Sequence, residues 1–102
     1  MKPAAFDYIR ARELPEALEA LARHGADARI IAGGQSLLPM LNMRLARPAV
    51  LIDIMGIAGL DRVEREGDLI VVPAGVRQAA LMKRPGLSGE QPLLAAALPW
   101  LG

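Results

Sequence analysis

Residues 29–44 read RIIAGGQSLLPMLNMR, from Arg29 to Arg44, a short apolar run that passes through two glycines straight into a helix start. Ile30, Ile31 and Ala32 are β-prone and too few to make a helix of their own; closed by Gly33 and Gly34, they read as a buried strand. The paired glycines carry no Cβ, so the backbone can take φ > 0 there and a flat group such as a pyrophosphate can lie against it. Beyond them Leu37, Leu38, Met40, Leu41 and Leu45 recur at close to helical spacing, which predicts a helix over Ser36 to Ala46. Pro39 confines its start to the region of Gln35 to Leu38, because proline is tolerated only in a first turn, where N–H groups lack partners. Ser36 is then the expected N-cap. The N–H groups of Gly34, Gln35 and Ser36 converge at the positive end of the helix, which favours an anion, with the serine hydroxyl as a further donor. The same residues also suit an ordinary strand-to-helix turn, so the local physics fits a phosphate cradle and a plain turn alike.

Towards the N-terminus, Phe6 to Ile9 read as an opening strand and Arg10 to Glu13 as its loop. Leu14, Leu18 and Leu21, with Ala17 and Ala22, mark the apolar face of a first helix. Pro15 suits its first position, Glu16 its first turn and Gly25 its stop. His24, the single histidine, falls in the last turn and reads as a polar group at the helix carboxyl end, with no partner set for a metal. Strand Arg29 to Ala32, helix Ser36 to Ala46 and strand Val50 to Asp53 complete a βαβαβ lobe on a right-handed parallel sheet. Ligands of open α/β sheets sit beyond the carboxyl ends of the strands, where Gly33 and Asp53 both fall. Asp53 stands nineteen positions after Gly34, imitating the ribose-binding acid of a dinucleotide fold, which makes NAD binding an alternative. Against it, the G-x-G-x-x-G order is missing, and an aspartate at a strand end also caps the following turn.

After Met55 the pattern changes. Gly56 and Gly59 punctuate a turn, then Arg62 to Glu66, Gly67 with Asp68, and Leu69 to Val72 read as a hairpin. Gln78 to Lys83 and Pro92 to Leu98 each suit a helix, separated by Pro85, Gly86, Ser88 and Gly89. A sheet begun here and not continued would keep an unpaired edge, open to docking or aggregation.

Composition bounds the functions. The chain has 102 residues and 53% hydrophobic residues, but a single Phe, Tyr and Trp each. Its core must therefore be aliphatic, with Met40, Met43, Met55 and Met82 as gap-fillers. Charge is balanced, 12 basic against 11 acidic for a net +1, and no basic tract argues for nucleic acid. There is no apolar run near the roughly 18 residues of a membrane span, and the opening Met1, Lys2, Pro3 lacks a signal-type core, so a cytoplasmic location is expected. With no cysteine, the chain supplies no disulfide, thiolate nucleophile or iron–sulfur ligand. Lys83, Arg84, Arg77 and Arg44 are scattered cations, of which Arg44 on the second helix is the best remaining phosphate candidate. No paired carboxylates and no nucleophile with a base stand out, so any redox chemistry belongs to a cofactor.

The segment AGGQSLLPMLNMRLARP, Ala32 to Pro48, is similar to the first flavin-binding signature of the FAD subunit of molybdenum hydroxylases, the family of carbon monoxide dehydrogenase medium subunits and xanthine dehydrogenase flavin domains. KPAAFDYIRARELPEALEALARHG (Lys2 to Gly25), VLIDIMGIAGLDRVE (Val50 to Glu64) and VPAGVRQAALMK (Val72 to Lys83) resemble its flanking elements, so nearly the whole chain is covered. The resemblance implies an α/β (α+β) fold: residues 1–55 as the N-terminal βαβ lobe of a PCMH-type FAD-binding domain, residues 56–102 as the incomplete beginning of an antiparallel α+β lobe. It implies FAD as cofactor, its pyrophosphate on Ala32, Gly33, Gly34, Gln35, Ser36 and Leu37, with no catalytic residue and no metal ligand of the chain's own. It implies an oxidoreductase subunit that passes electrons from iron–sulfur centres through FAD to an acceptor. Its partners would be an iron–sulfur small subunit and a molybdenum large subunit carrying those cofactors. The family's second flavin turn, of Thr-Ile-Gly-Gly type, has no counterpart here, so an N-terminal fragment is expected; a truncated remnant or interaction module without flavin is the alternative. Within the flavin reading, Gly34→Val is expected to block the pyrophosphate while sparing the helices.

Overall fold

In the computed structural model, which describes residues 1–101, the chain forms two units, Met1–Ala58 and a second that begins at Gly59. The first is organised around β3 (Val50–Asp53), whose four residues are all buried. A continuous β-branched and aliphatic run is what a parallel strand covered on both faces requires. β1 (Asp7–Arg10) and β2 (Ala28–Ile31) pair with β3 on its two sides, both parallel, giving the order β1-β3-β2. In register, Arg10 and Ile31 both stand opposite Asp53. The carboxyl ends of all three strands are therefore level. Both outer strands lie one residue from their expected limits, β1 later and β2 earlier, because pairing with β3 fixes the ends.

α1 (Leu14–His24) carries the chain from β1 to β2 and packs on β2 and β3. Its buried residues are Ala17 and Ala20, while Leu14 and Leu18 are about half exposed, at 49% and 56%. Of the face expected from sequence, Ala17 is buried and Leu21 part-buried, while Leu14, Leu18 and Ala22 turn outward; the small side chains of Ala17 and Ala20 let the helix sit close to the sheet. Pro15 lies in the first turn and Gly25 at the C-cap with φ 54, as expected. Glu16 reaches back to accept the Arg12 N–H at 3.1 Å, satisfying one of the amides that precede the helix.

α2 (Leu37–Asn42) is shorter than the periodicity suggests. It ends because Arg44 takes φ 57, the single non-glycine residue with positive φ among the described residues. The Arg44 N–H donates to the Leu41 carbonyl at 3.0 Å and the Leu45 N–H to the Met40 carbonyl at 2.9 Å. These are the paired bonds of a Schellman stop, with arginine in the place usually held by glycine. Past it, Leu45 is 70% exposed, and Met40 and Met43, with Met82 of the second unit, are exposed rather than filling the core. The aliphatic side chains Leu41, Leu51 and Ile52 fill the interior of the first unit without them.

The second unit opens with the antiparallel hairpin β4 (Glu64–Glu66) and β5 (Leu69–Val71), joined through Gly67 and Asp68. Gly67 has φ 59 and Asp68 a negative φ, the sign pattern of a type II′ turn. α3 (Gln78–Met82), α4 (Leu87–Glu90) and α5 (Pro92–Ala97) follow, α5 running into a 3₁₀ turn over Leu98–Trp100. α4 lies in the stretch read from sequence as a spacer; Gly86, with φ 78, admits the turn that starts it. Leu81, Leu87 and Leu98 form the core of this unit, with Val63, Ile70, Val76, Leu94 and Ala95 packed around them. Glu90 and Arg84 pair through two bonds of 2.9 and 3.2 Å, and Arg65 stands 3.9 Å from the same carboxylate. The Arg84 hydrogen bonds hold the Glu90 carboxyl below its usual range against the opposing effect of its desolvation.

A left-handed conformation costs a side-chain-bearing residue roughly 1–2 kcal/mol. Arg44→Gly is expected to raise stability by about 0.5–1 kcal/mol, since glycine's own chain-entropy cost offsets part of the relief, whereas the β-branched Arg44→Val should lower it by more than about 1 kcal/mol. Urea unfolding of the three proteins checks this, and a loss in the glycine variant would refute the strain.

Candidate functional site

The six residues singled out from sequence lie together as one continuous loop beyond the carboxyl end of β2. Ala32, Gly33, Gly34, Gln35 and Ser36 form the turn, and Leu37 begins α2. Gly33 and Gly34 both have positive φ, 81 and 76, conformations open to glycine and strained for other residues. Their surroundings differ. A Cβ on Gly33 would meet nothing within 4 Å, whereas one on Gly34 would lie 2.7 Å from Leu38 Cγ and 3.2 Å from Ile31 Cδ1. Gly34 is therefore needed for packing under the loop, and Gly33 presents the open side. A valine at position 34 would strike the protein's own interior, so the expectation that it obstructs only a ligand is corrected; Gly33 is the position at which an added side chain enters open space.

Among the described residues, the N–H groups of Gly33, Gly34, Gln35 and Ser36 donate to no group of the chain. Ala32, Gly33, Gln35 and Ser36 are exposed. Successive unpaired amides in such a turn make a concave donor surface that suits a phosphate or carboxylate. Ser36 occupies the N-cap position, but with helical dihedrals (φ −95, ψ −35) and no cap bond from its hydroxyl. The expected side-chain cap is absent because a helical ψ turns the hydroxyl away from the amides that follow. That leaves the hydroxyl available at the mouth of the loop. The loop is held from both sides by main-chain bonds: Leu38 N–H to the Gly34 carbonyl at 2.9 Å, and Ile54 N–H to the Ile31 carbonyl at 3.2 Å.

Two of the scattered cations have partners of their own. Arg44 follows the far end of α2 and its Nε donates to the Lys2 carbonyl at 3.4 Å, while Arg84 is committed to Glu90. Among the described residues no His, Cys, Asp and Glu cluster could hold a metal, and no helix is long and apolar enough to cross a membrane.

Asp53 is the buried charged residue of the sheet, 9% exposed. Its Oδ1 accepts the Met55 N–H at 2.9 Å, the strand-end cap expected from sequence, and its Oδ2 accepts from Arg10 Nη1 at 3.1 Å and from the Tyr8 hydroxyl. With both oxygens engaged, Asp53 has the role of a cap and an ion-pair partner rather than of a ribose ligand. Sequence reading missed Tyr8 and Arg10. Their i, i+2 spacing on one strand puts both on one face, but only the pairing of β1 with β3 places that face over Asp53. Burial pushes the Asp53 carboxyl up; the Tyr8 hydroxyl, the Met55 amide and Arg10 outweigh it and hold the group below its ordinary value.

Comparison with known proteins matches residues 4–102 to the family described as FAD binding domain in molybdopterin dehydrogenase. The beta subunit of caffeine dehydrogenase from Pseudomonas sp. (strain CBB1) is 46% identical over 98 residues, 96% of this chain and 33% of that subunit. Among solved structures, reconstituted CO dehydrogenase from Oligotropha carboxidovorans superposes with a TM-score of 0.95 at 34% identity, over 100% of this chain and 36% of that one. Carbon monoxide dehydrogenase from Hydrogenophaga pseudoflava lacking the Mo-pyranopterin moiety of its molybdenum cofactor gives a TM-score of 0.90 at 39% identity, over 96% and 34%. The chain thus spans about a third of the length of the curated relatives it matches.

The lowered Asp53 value carries a pH dependence of definite sign. The stability it contributes is full above the unfolded-chain value of about 3.9 and is lost as pH falls through the lower folded-state value. Between about pH 6 and pH 3 the wild-type chain should lose more thermal stability than Asp53→Asn, which has no carboxyl to titrate. Parallel melting curves for the two would contradict the assignment.

Proposed function

Because the chain belongs to the family of FAD binding domains in molybdopterin dehydrogenases, we propose that its glycine loop is the seat of the FAD pyrophosphate and that the protein serves as, or within, the flavin subunit of a molybdenum-hydroxylase-type oxidoreductase. The observation that carries this is the row of free amides at Gly33 to Ser36 beyond β2, with the open side of Gly33 above it. The fit to a pyrophosphate is chemical: donors without competing partners, no opposing carboxylate in the loop, and a backbone bare enough for close approach. Ala32 to Leu37 hold the group in this reading. The Gly33 to Ser36 amides and the Ser36 hydroxyl donate to its oxygens, and Leu37 starts the helix behind them.

Bound FAD would supply the redox chemistry that no side chain of this protein provides. The protein's own contribution is binding and orientation. In the same reading, electrons arrive from iron–sulfur centres on a small partner subunit and leave to an external acceptor. A large partner subunit carries the molybdenum cofactor and chooses the reduced substrate, and the assembly works in the cytoplasm. Residues 1–55 are the pyrophosphate-binding lobe and residues 56–102 begin a second, antiparallel lobe. The organisation of relatives named as dehydrogenase subunits supports the assignment of partners.

Calorimetric titration of the purified chain with FAD, FMN and NAD tests the proposal. Selective FAD binding is expected, since FMN lacks the pyrophosphate and the loop lacks the G-x-G-x-x-G order; a folded chain that takes up none of the three overturns it. Gly33→Ala should keep the fold, at a cost of about 1 kcal/mol for its positive φ. It should also weaken FAD binding by about tenfold or more, the worth of one charge-assisted hydrogen bond.

A further inference from the structure

We propose that Tyr8, Arg10 and Asp53 act together as a positioning clamp that sets the orientation of the glycine loop for its ligand, through the main-chain bond between Ile54 and Ile31. The inference rests on the flavin reading for what the loop binds, and on geometry alone for what holds the loop.

The loop cannot fix itself. Two consecutive glycines at positive φ have the widest torsional freedom in the chain, and no N–H from Gly33 to Ser36 is tied to the protein among the described residues. Its orientation is therefore set by its two ends. One end is the Leu38 N–H bond to the Gly34 carbonyl. The other is Ile31, whose carbonyl accepts the Ile54 N–H at 3.2 Å and whose Cδ1 lies 3.2 Å from where a Gly34 Cβ would stand. Moving Ile31 moves the floor on which Gly34 rests.

Ile54 in turn sits inside a turn that Asp53 builds. Oδ1 of Asp53 takes the Met55 N–H at 2.9 Å, closing a turn around Ile54 at the point where its amide gives the last bond of the β2–β3 ladder to the Ile31 carbonyl. Oδ2 is held from β1 by Arg10 at 3.1 Å and by the Tyr8 hydroxyl, which fixes the rotamer of the carboxylate that makes the turn. Gly56 extends the same contact, since a Cβ there would lie 2.9 Å from Arg10 Nε and 3.0 Å from the Ala11 carbonyl. The chain leaving the turn is thereby pressed onto the arginine. An uncharged Asx cap would close the turn equally well. The charge on Asp53, whose side chain is 13% exposed at the end of a strand, is matched by Arg10, whose own side chain is 56% exposed, so the pair fixes the carboxylate's rotamer more than it adds stability. Tyr8, Arg10 and Asp53 are positioning residues; they need touch no ligand.

The test compares Asp53→Ala, Asp53→Asn and Tyr8→Phe with Val50→Ala, which opens a cavity at the amino end of the same strand, away from the loop. FAD affinity and NMR order parameters of the Gly33 and Gly34 amides are read for each at equal folded fraction. The clamp predicts an affinity loss of about tenfold for Asp53→Ala, from misplacement of the loop donors, with lower order parameters at both glycines. It predicts partial recovery in Asp53→Asn, which keeps an acceptor for Met55, a smaller loss in Tyr8→Phe, and wild-type values of both readouts in Val50→Ala. If Asp53→Ala does not fold, Tyr8→Phe, whose side chain is half exposed, decides by the same readouts. Loop order and affinity unchanged in Tyr8→Phe and the Asp53 variants, or altered equally in Val50→Ala, overturns the clamp. Should the wild-type chain bind no FAD, the flavin reading fails, and the order parameters still decide whether the clamp exists.

Discussion

The carboxyl end of the first unit depends on β3 being hydrogen-bonded on both sides at once. Its residues Val50 to Asp53 are buried, so the backbone groups of each must find partners within the protein, and β1 and β2 supply them in the same parallel register. That double pairing brings three carboxyl ends to one level. The glycine loop leaves from one outer strand, the Tyr8 and Arg10 side chains from the other, and Asp53 stands between. Removing water from the strand also raises the consequence of any unpaired charge at its end, which is why both oxygens of Asp53 are engaged.

The short helix α2 separates two uses of left-handed backbone. At its start Gly33 and Gly34 take positive φ without strain and divide the work, one open to an approaching group and the other closed over Leu38 and Ile31. At its end Arg44 takes the same conformation with a side chain attached, and completes the stop by two main-chain bonds. The first exploits glycine's freedom. The second is strain, sustained because the paired bonds that follow leave the chain no better route.

The second unit is stabilised differently. A two-stranded hairpin is marginal by itself, and here a leucine cluster drawn from α3, α4 and the final 3₁₀ turn provides its core. The Arg84 and Glu90 pair, itself partly exposed, adds geometric definition more than stability. Leu69 and Trp100 remain largely exposed, and among the described residues the hairpin pairs with no further strand.

Sequence by itself determined the alternation of elements, the glycine turn between β2 and α2, the hairpin at Gly67 and Asp68, and the family. Each of these is written in local chemistry: β-branched runs, glycines where φ must be positive, a proline confined to a first turn. Tertiary structure alone decided which residues those elements turn inward and what meets across them. Ala20 joins the expected Ala17 against the sheet while Leu14 and Leu18 turn outward, because close approach to a sheet selects small side chains over large ones. Gly34 and Gly33 exchanged the roles that composition could not tell apart, because the difference lies in Leu38, a residue met only after the turn is folded. Tyr8 and Arg10 became partners of Asp53 across some forty residues of sequence because strand pairing, a long-range hydrogen-bonding choice, fixes neighbours that no local pattern encodes.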